Sequence, residues 1–262
     1  MRSFLPLAFA FLLGPANGSA QDLAALKARG VIKVLVAADE VPETFSFRPG
    51  ETPGLERELI EGFSRLHKLE MKPVPVKDFS DIIPALVRGE GDVILAINDT
   101  ESRRKQIAFT REVLPSRHVV VTRKPDGAIT ALEALRAVRV GVSFGTTWAE
   151  AATAAGVPAS KLQDLPDVRS ILEALRTRKI TAAVMTLADL TLALRTDPDL
   201  QAGMFLGPAG SAAWGVRKTD PELLRALDAH LDSSRQTGSW SRLVVKYYGA
   251  DALKVLDRAQ AR

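Results

Sequence analysis

VKDFSDIIPALVRGEGDVILAINDTESRRKQIAFT, residues 76–110, is the stretch whose reading decides the fold. It holds a loop aromatic, Phe79, then a helix entered through Ser80, then a Gly89-Glu90-Gly91 turn. A short β-branched run at 92–97 follows, then a polar loop and Arg103. A continuous apolar run bounded by glycines on one side and polar residues on the other is the pattern of a buried strand.

Working outward, similar runs recur at 32–38, 71–76, 118–123, 138–143, 180–186 and 212–217. Between them lie helical stripes. One is Leu55, Leu59, Ile60, Phe63 and Leu66, a second is Val168, Ile171, Leu172 and Leu175, and a third is Leu223, Leu224, Leu227 and Leu231. Alternation of this kind predicts an α/β fold with mostly parallel sheets. Two places read as chain crossings, at 112–117 and at the Gly207-Pro208-Ala209-Gly210-Ser211 segment. They bracket a second α/β unit of about a hundred residues, an ordinary domain size. The expected layout is a first lobe at 21–112, a second at 113–213, and a return segment with C-terminal helices at 214–262 belonging to the first lobe. Two crossings make a hinge, and a cleft between hinged lobes is a natural place for a small ligand.

The first twenty residues, MRSFLPLAFAFLLGPANGSA, have a basic start at Arg2, an apolar stretch too short to span a bilayer, and small residues at Gly18 and Ala20. They read as a signal peptide, 1–20, cut after Ala20 or after Gly18. The chain has no cysteine, so its core carries stability without disulfides. Removing 1–20 leaves 34 Lys plus Arg against 31 Asp plus Glu, a balance of +3. Interspersed charge and few aromatics give no nucleic-acid footprint. His67, His118 and His230 are widely separated and show no metal spacing. No nucleophile elbow, phosphate loop or dinucleotide fingerprint is present, so neither a metal nor a cofactor is expected.

The order of features in 76–110 resembles the family 3 periplasmic solute-binding proteins, the extracytoplasmic receptors of polar amino-acid uptake systems. The resemblance extends over nearly the whole chain after residue 20, including the terminal Gly238, Lys246 and Gly249 spacing. It implies a two-lobed type II periplasmic binding protein with two hinge crossings and an interlobe cleft. It also implies a periplasmic monomer that captures a small polar or carboxylated solute for the membrane permease of an ABC transporter. In that family the arginine of a T-x-x-R motif grips the ligand carboxylate, and the motif stands here as Thr100-Glu101-Ser102-Arg103. The segment before it is one residue shorter than the family pattern. Alignment on the strand selects Arg104, whereas alignment on Ile107-Ala108-Phe109 selects Arg103 and keeps Thr100 in its motif position. Asn98 then takes the place of a ligand-contacting threonine. Phe79, in a run close to that of glutamine-binding receptors, is implied to stack on the ligand, and Phe45 and Phe47 match an aromatic pair after the first strand. At strand spacing the two point the same way; one is expected toward the pocket, taken as Phe45, and one toward the core.

Gly145-Thr146-Thr147 matches the family's second carboxylate clamp, a tight turn opening a helix N-terminus. At Thr186 the family usually places an Asp for the ligand ammonium, so a neutral hydroxyl stands where a carboxylate is expected. Either the solute lacks an α-amino group or another acid serves, with Asp39, Glu40 and Glu43 as candidates, while Asp189 reads as a surface or helix-start charge. Two other readings share the resemblance. One is a cell-wall-fragment sensor like the receptor module of lytic transglycosylase F. The other is an acid catalyst like cyclohexadienyl dehydratase, with Glu43 and Glu101 as candidate acids.

Overall fold

The structure, a computed structural model, describes residues 22–250 and 252–260. The expected signal peptide lies outside the described residues, and no helix among them is long and apolar enough to cross a membrane. The elements run α1 (Leu23–Arg29), β1 (Val31–Ala37), α2 (Leu55–Leu66), β2 (Glu70–Val76), α3 (Ile82–Val87), β3 (Val93–Asn98), α4 (Glu101–Arg104), β4 (Ala108–Phe109) and β5 (Leu114–Arg123). They continue with α5 (Leu132–Ala137), β6 (Val140–Val142), α6 (Thr147–Ala154), β7 (Leu162–Asp164), α7 (Val168–Arg176), β8 (Ala182–Thr186), α8 (Leu187–Thr196), β9 (Leu200–Val216), α9 (Pro221–Gln236), α10 (Ser239–Tyr248) and α11 (Ala252–Gln260).

Both faces of the inner strands are covered, which is why their sequences are apolar without alternation. On β1, Val34 and Val36 join a core with α2, α9 and α10, while Leu35 joins the core under α3. On β8, Ala183 and Met185 face one core and Ala182 and Val184 the other. Four cores thus sandwich two sheet regions, two per lobe. Trp214, Leu223, Leu227, Tyr247 and Tyr248 all belong to the core built on β1 and α2. The chain after β9 therefore packs back on the first lobe. Asp22 ties this return down, since its carboxylate accepts from Leu23 N at 2.8 Å and from Leu223 N at 2.7 Å, serving the first turns of α1 and α9 together.

The sheet order is β2-β1-β3-β9-β5-β8-β6-β7, with β4 also on β9. The flanks are parallel as expected, but the middle is not. β9 is antiparallel to β3 and β5, and β5 is antiparallel to β8. The two expected breaks are strands. Leu114, Pro115 and Ser116 pair with Ala212, Ser211 and Gly210, so the crossings hydrogen-bond to each other and join both lobes in one ladder. The Gly/Pro-rich composition marks the register shift between Ser116 and His118, where a kinked ladder is cheap, and not a loop. The crossing at Val113 is also clamped from outside, with Trp240 Nε1 donating to Val113 O at 2.7 Å and Arg235 Nη2 to Glu112 O at 2.8 Å. One stripe residue departs from expectation: Leu66, at the last position of α2, is 68 % exposed.

Candidate functional site

Between the lobes lies a cavity of about 150 Å³, lined from the first lobe by Phe79, Asn98 and Arg103 and from the second by Thr146, Thr147 and Asp167. That volume is on the order of one benzene-sized guest. Leu114, Pro115, Ser116 and Ala212 of the crossing strands also line it.

The basic end is built locally. Thr100 caps α4 by accepting from Arg103 N at 3.3 Å, and the single turn that follows sends neighbouring arginines in different directions. Arg103 is 7 % exposed and lines the cavity. Arg104 is exposed and bonded to Asp99, Nε to Oδ1 at 2.6 Å. Arg103 Nη1 donates to Asn98 O at 2.9 Å, Nη2 reaches Gly145 O at 3.4 Å across the cleft, and the guanidinium carbon sits 5.3 Å from the Phe79 ring centre. Burial lowers the Arg103 pKa, with Glu150 opposing, yet a guanidinium stays protonated. Gly145 holds a φ of +79°, and a Cβ there would stand 3.3 Å from Ser80 Cβ, so both backbone conformation and the close approach of the lobes favour glycine.

Thr146 caps α6 by accepting from Trp148 N at 3.2 Å. Thr147 joins the lobes, since its hydroxyl accepts from Asn98 Nδ2 at 2.8 Å and meets His118 Nε2 at 2.8 Å. Burial and then the Arg103 charge push His118 down to about 4, so the ring is neutral and its Nε2 accepts the Thr147 proton. This relay leaves Asn98 Oδ1 buried without a partner, as is Ser116 Oγ.

The other end is acidic. Asp39, Glu40, Glu56, Asp167 and Asp189 line the cavity, and Arg103 is the only basic residue among its described lining residues. Burial, then the charge of Asp189, raises Glu40 to about 8. Burial raises Glu56 to about 7 even though its Oε2 accepts from Ala96 N at 2.7 Å and Trp214 Nε1 at 2.9 Å. Ala96 makes that bond from a left-handed backbone, φ +51°, inside the irregularity of the β3–β9 ladder. Asp189 and Asp39 are also raised, chiefly by burial. Tyr248 closes this end, bonded to Thr44 Oγ1 at 3.2 Å.

Thr186 lines the cavity and caps α8 in a reciprocal box: Asp189 N donates to Thr186 Oγ1 at 3.2 Å, and Thr186 N to Asp189 Oδ2 at 3.2 Å. The side chain of Asp189 therefore folds back beside the hydroxyl. Of the two readings of Asp189, the helix-start charge holds and the surface charge does not, and a carboxylate stands close to where Thr186 lacks one. The T-x-x-D spacing at a strand end was the available signal. Phe45 is a correction as well. It is fully buried in the core, its ring 5.0 Å from that of Phe47, and Val41 and Thr44 form the cavity wall there. Gly145 meets Arg103 through its carbonyl without lining the cavity, and neither do Glu43 and Glu101 line it. Ser116, Glu56 and His118 were not foreseen, since single polar residues in strands or helices carry no local signal.

Among known proteins, the chain is 27 % identical over 253 residues to membrane-bound lytic murein transglycosylase F of Stutzerimonas stutzeri, covering 94 % of this chain and 51 % of the relative. It thus spans about half the length of the transglycosylase relatives it matches. The solved structure of a mutant of ArgBP from T. maritima superposes with a TM-score of 0.78 at 25 % identity, covering 87 % of this chain and 99 % of that one. An ancestral arginine-binding protein bound to arginine superposes at 0.72 with 26 % identity, over 84 % and 99 %. The model of the bacterial extracellular solute-binding proteins, family 3, matches residues 32–250, and the chain belongs to that family.

Proposed function

We propose that the protein is a periplasmic receptor that closes its two lobes, 21–112 with 214–262 and 113–213, on a small solute and gripping a carboxylate of it between Arg103 and the Gly145-Thr146-Thr147 turn. One observation carries this: a buried guanidinium, held among the described residues by two carbonyls, points into an interlobe cavity beside the capped start of α6. A guanidinium has five N–H donors, and a carboxylate takes two in parallel. Phe79 walls the same place, and Asn98 Oδ1 offers an acceptor. Delivery to the permease of an ABC importer, a monomeric state and export through a leader at 1–20 complete the reading, supported by family membership. A thermal-shift screen of amino acids, dicarboxylates, ring acids and muropeptides tests it. A true solute at a hundred times its dissociation constant adds about 2.7 kcal/mol. Absence of any Arg103-dependent shift across all four classes defeats the reading.

Two further readings each have an observation behind them. The transglycosylase relatives favour a cell-wall-fragment sensor, although a cavity of about 150 Å³ suits a fragment's end group and not a whole muropeptide. A cleft carboxyl near neutral pH, Glu40 at about 8, is what acid catalysis on a carboxylated ring would need. Turnover of prephenate in a purified sample separates catalyst from receptor.

A further inference from the structure

We infer that His118, on the second-lobe stretch of the crossing strand β5, is a positioning residue of the cleft. It takes the proton of the Thr147 hydroxyl, which makes Thr147 an acceptor for the Asn98 amide of the other lobe and withdraws that hydroxyl from any anion gripped by Arg103. The consequence for a solute rests on the receptor reading, whereas the direction of the relay does not.

Three distances carry it. Asn98 Nδ2 stands 2.8 Å from Thr147 Oγ1, His118 Nε2 stands 2.8 Å from the same oxygen, and Arg103 Nη1 donates to Asn98 O at 2.9 Å. Asn98 ends β3 in the first lobe and Thr147 opens α6 in the second, so the bond between them crosses the closed cleft. Thr147 is buried, which leaves its one proton to the groups around it and not to bulk water. His118 pairs with Thr186 of β8 and with Leu206 of β9, just past the register shift that follows Ser116. Its ring is therefore held by the ladder of the crossing and not by a loop. A side chain on the hinge strand thus meets, through one hydroxyl, a side chain of the opposite lobe.

A hydroxyl has one proton, so the chain of bonds can run in two directions. Forward, Asn98 donates to Thr147 and Thr147 to His118 Nε2, with the ring proton on Nδ1 and Asn98 Oδ1 on the cavity side. In reverse, His118 Nε2 donates to Thr147, Thr147 donates to Asn98 Oδ1, and the amide N–H groups turn to the cavity. Arg103 selects the forward direction. Its guanidinium, bonded to the carbonyl of Asn98 itself, sets a positive charge beside the amide and favours oxygen over N–H on that side. After burial, the same charge keeps His118 neutral, so Nε2 is free to accept. Asn98 Oδ1 is then the buried atom without a partner. The other hydroxyl of the turn is spent as well, Thr146 Oγ1 donating to Ser143 O at 2.6 Å. Neither threonine hydroxyl is left to donate, so Arg103 and the backbone N–H groups at the start of α6 carry the grip on a carboxylate.

The test needs no solute, so its failure leaves the Arg103-dependent screen to stand or fall by itself. Long-range nitrogen–proton correlation spectra of isotope-labelled protein at neutral pH read which ring nitrogen of His118 carries the proton. The His118 signals are assigned by their loss in His118→Gln. The expected state of the parent is a protonated Nδ1 and a bare Nε2. Asn98→Asp keeps the shape of the side chain but has no N–H to give. Its carboxylate accepts the Thr147 proton, so His118 should switch to a protonated Nε2. Asn98→Leu removes the partner without reversing the chain, and Nε2 should stay bare. In the double variant Thr147→Val with Asn98→Asp the switch should vanish, since valine has no hydroxyl to pass it on. A protonated Nε2 in the parent overturns the inference, as does a His118 that ignores Asn98→Asp. A switch that persists without the Thr147 hydroxyl shows the new charge acting through space, and overturns the relay too.

Discussion

The two ends of the cleft are built in opposite ways. The basic end comes mainly from one stretch, 76–110, where Arg103 bonds to Thr100 and Asn98 and meets Phe79, and is joined from across the cleft by Gly145 and Thr147. The acid end is assembled from the loop after β1, from α2, from the loop before α7, and from α8, segments far apart in sequence. The first is a single cation with two carbonyl acceptors and donors to spare. The second is a group of carboxylates short of donors. A local motif can specify a grip, but a charge excess arises only when the chain folds, and it is the excess that leaves room for chemistry of the solute's own.

The sharpest contrast is with an acid that is buried and satisfied. Asp92, whose side chain is fully buried, receives Arg29, Arg217 at 3.5 Å, and Lys33 N at 2.7 Å. Arg217 also holds Asp220 at 2.8 Å and the Leu86 carbonyl at 3.0 Å, so Asp92 fastens the end of β9 to β1, β3 and α3. Asp92→Ala takes the carboxylate from Arg29 and the Lys33 N–H and leaves Arg217 to Asp220 alone, and is expected to cost about 3–5 kcal/mol in chemical denaturation. A loss under about 1 kcal/mol would mean that pairing does not distinguish Asp92 from the cleft acids, and the contrast would lapse.

Next in size is Arg103→Ala. Removing one partner of a buried charge pair weakens binding by about 2–5 kcal/mol, read by calorimetry against whichever carboxylated solute the screen identifies. Lysine at this position should recover only part of the loss, since an ammonium cannot present two parallel donors. Full recovery by Arg103→Lys would show that the basic end supplies charge alone and has no built geometry.

What was legible follows the same division. Helix stripes, the buried strands of the parallel flanks and the T-x-x-R turn depend on neighbours within a few residues, and these positions were found. The antiparallel centre was misread because Pro115, Gly207, Pro208 and Gly210 weaken a strand locally, whereas the pairing of Pro115 with Ser211 and of Ser116 with Gly210 across β5 and β9 is long-range. Phe45 was placed in the pocket because strand spacing fixes which side residues share and not what lies on that side. Asp189 was set aside because a carboxylate one turn into a helix is ordinarily solvated. Only the box with Thr186 shows it turned back toward the cavity.

The acid end makes a pH prediction of smaller size. Glu40 and Glu56 have ordinary values of 4.5 and stand at about 8 and about 7 in the folded chain. Between pH 4.5 and 8 these two carboxyls bind more protons in the folded protein than in the unfolded chain, whereas His118, held at about 4 against an ordinary 6.5, works the other way up to pH 6.5, so stability falls with rising pH above 6.5. Solute-free protein should melt at a higher temperature at pH 6.5 than at pH 8. Glu40→Gln should flatten this fall and add on the order of 1 kcal/mol at pH 8. Glu56 then accounts for what remains up to about pH 7. A solute-free melting temperature that rises from pH 6.5 to pH 8 would show that the carboxylates are ionised and paired, making the two ends of the cleft alike.

The smallest expected effect separates two adjacent residues. Arg104 follows Arg103 in the same turn of α4, carries the same charge, and is the one selected if the motif is aligned on the preceding strand. It is exposed and, among the described residues, bonded to Asp99, which is absent from the cavity lining. A pair whose cation lies in water contributes about 1 kcal/mol or less to stability. Its guanidinium lies in water, where charge at a distance is screened over about 8 Å at physiological ionic strength. Arg104→Ala should therefore leave solute affinity within twofold of the parent in the titration that reads Arg103→Ala, and its melting temperature nearly unchanged. Low salt is the demanding condition, because there a long-range pull on an anionic solute would show. If Arg104→Ala matches Arg103→Ala at both low and physiological salt, the one-residue gap lies after the arginine, and the basic end is not the locally built grip that sets it apart from the acid end.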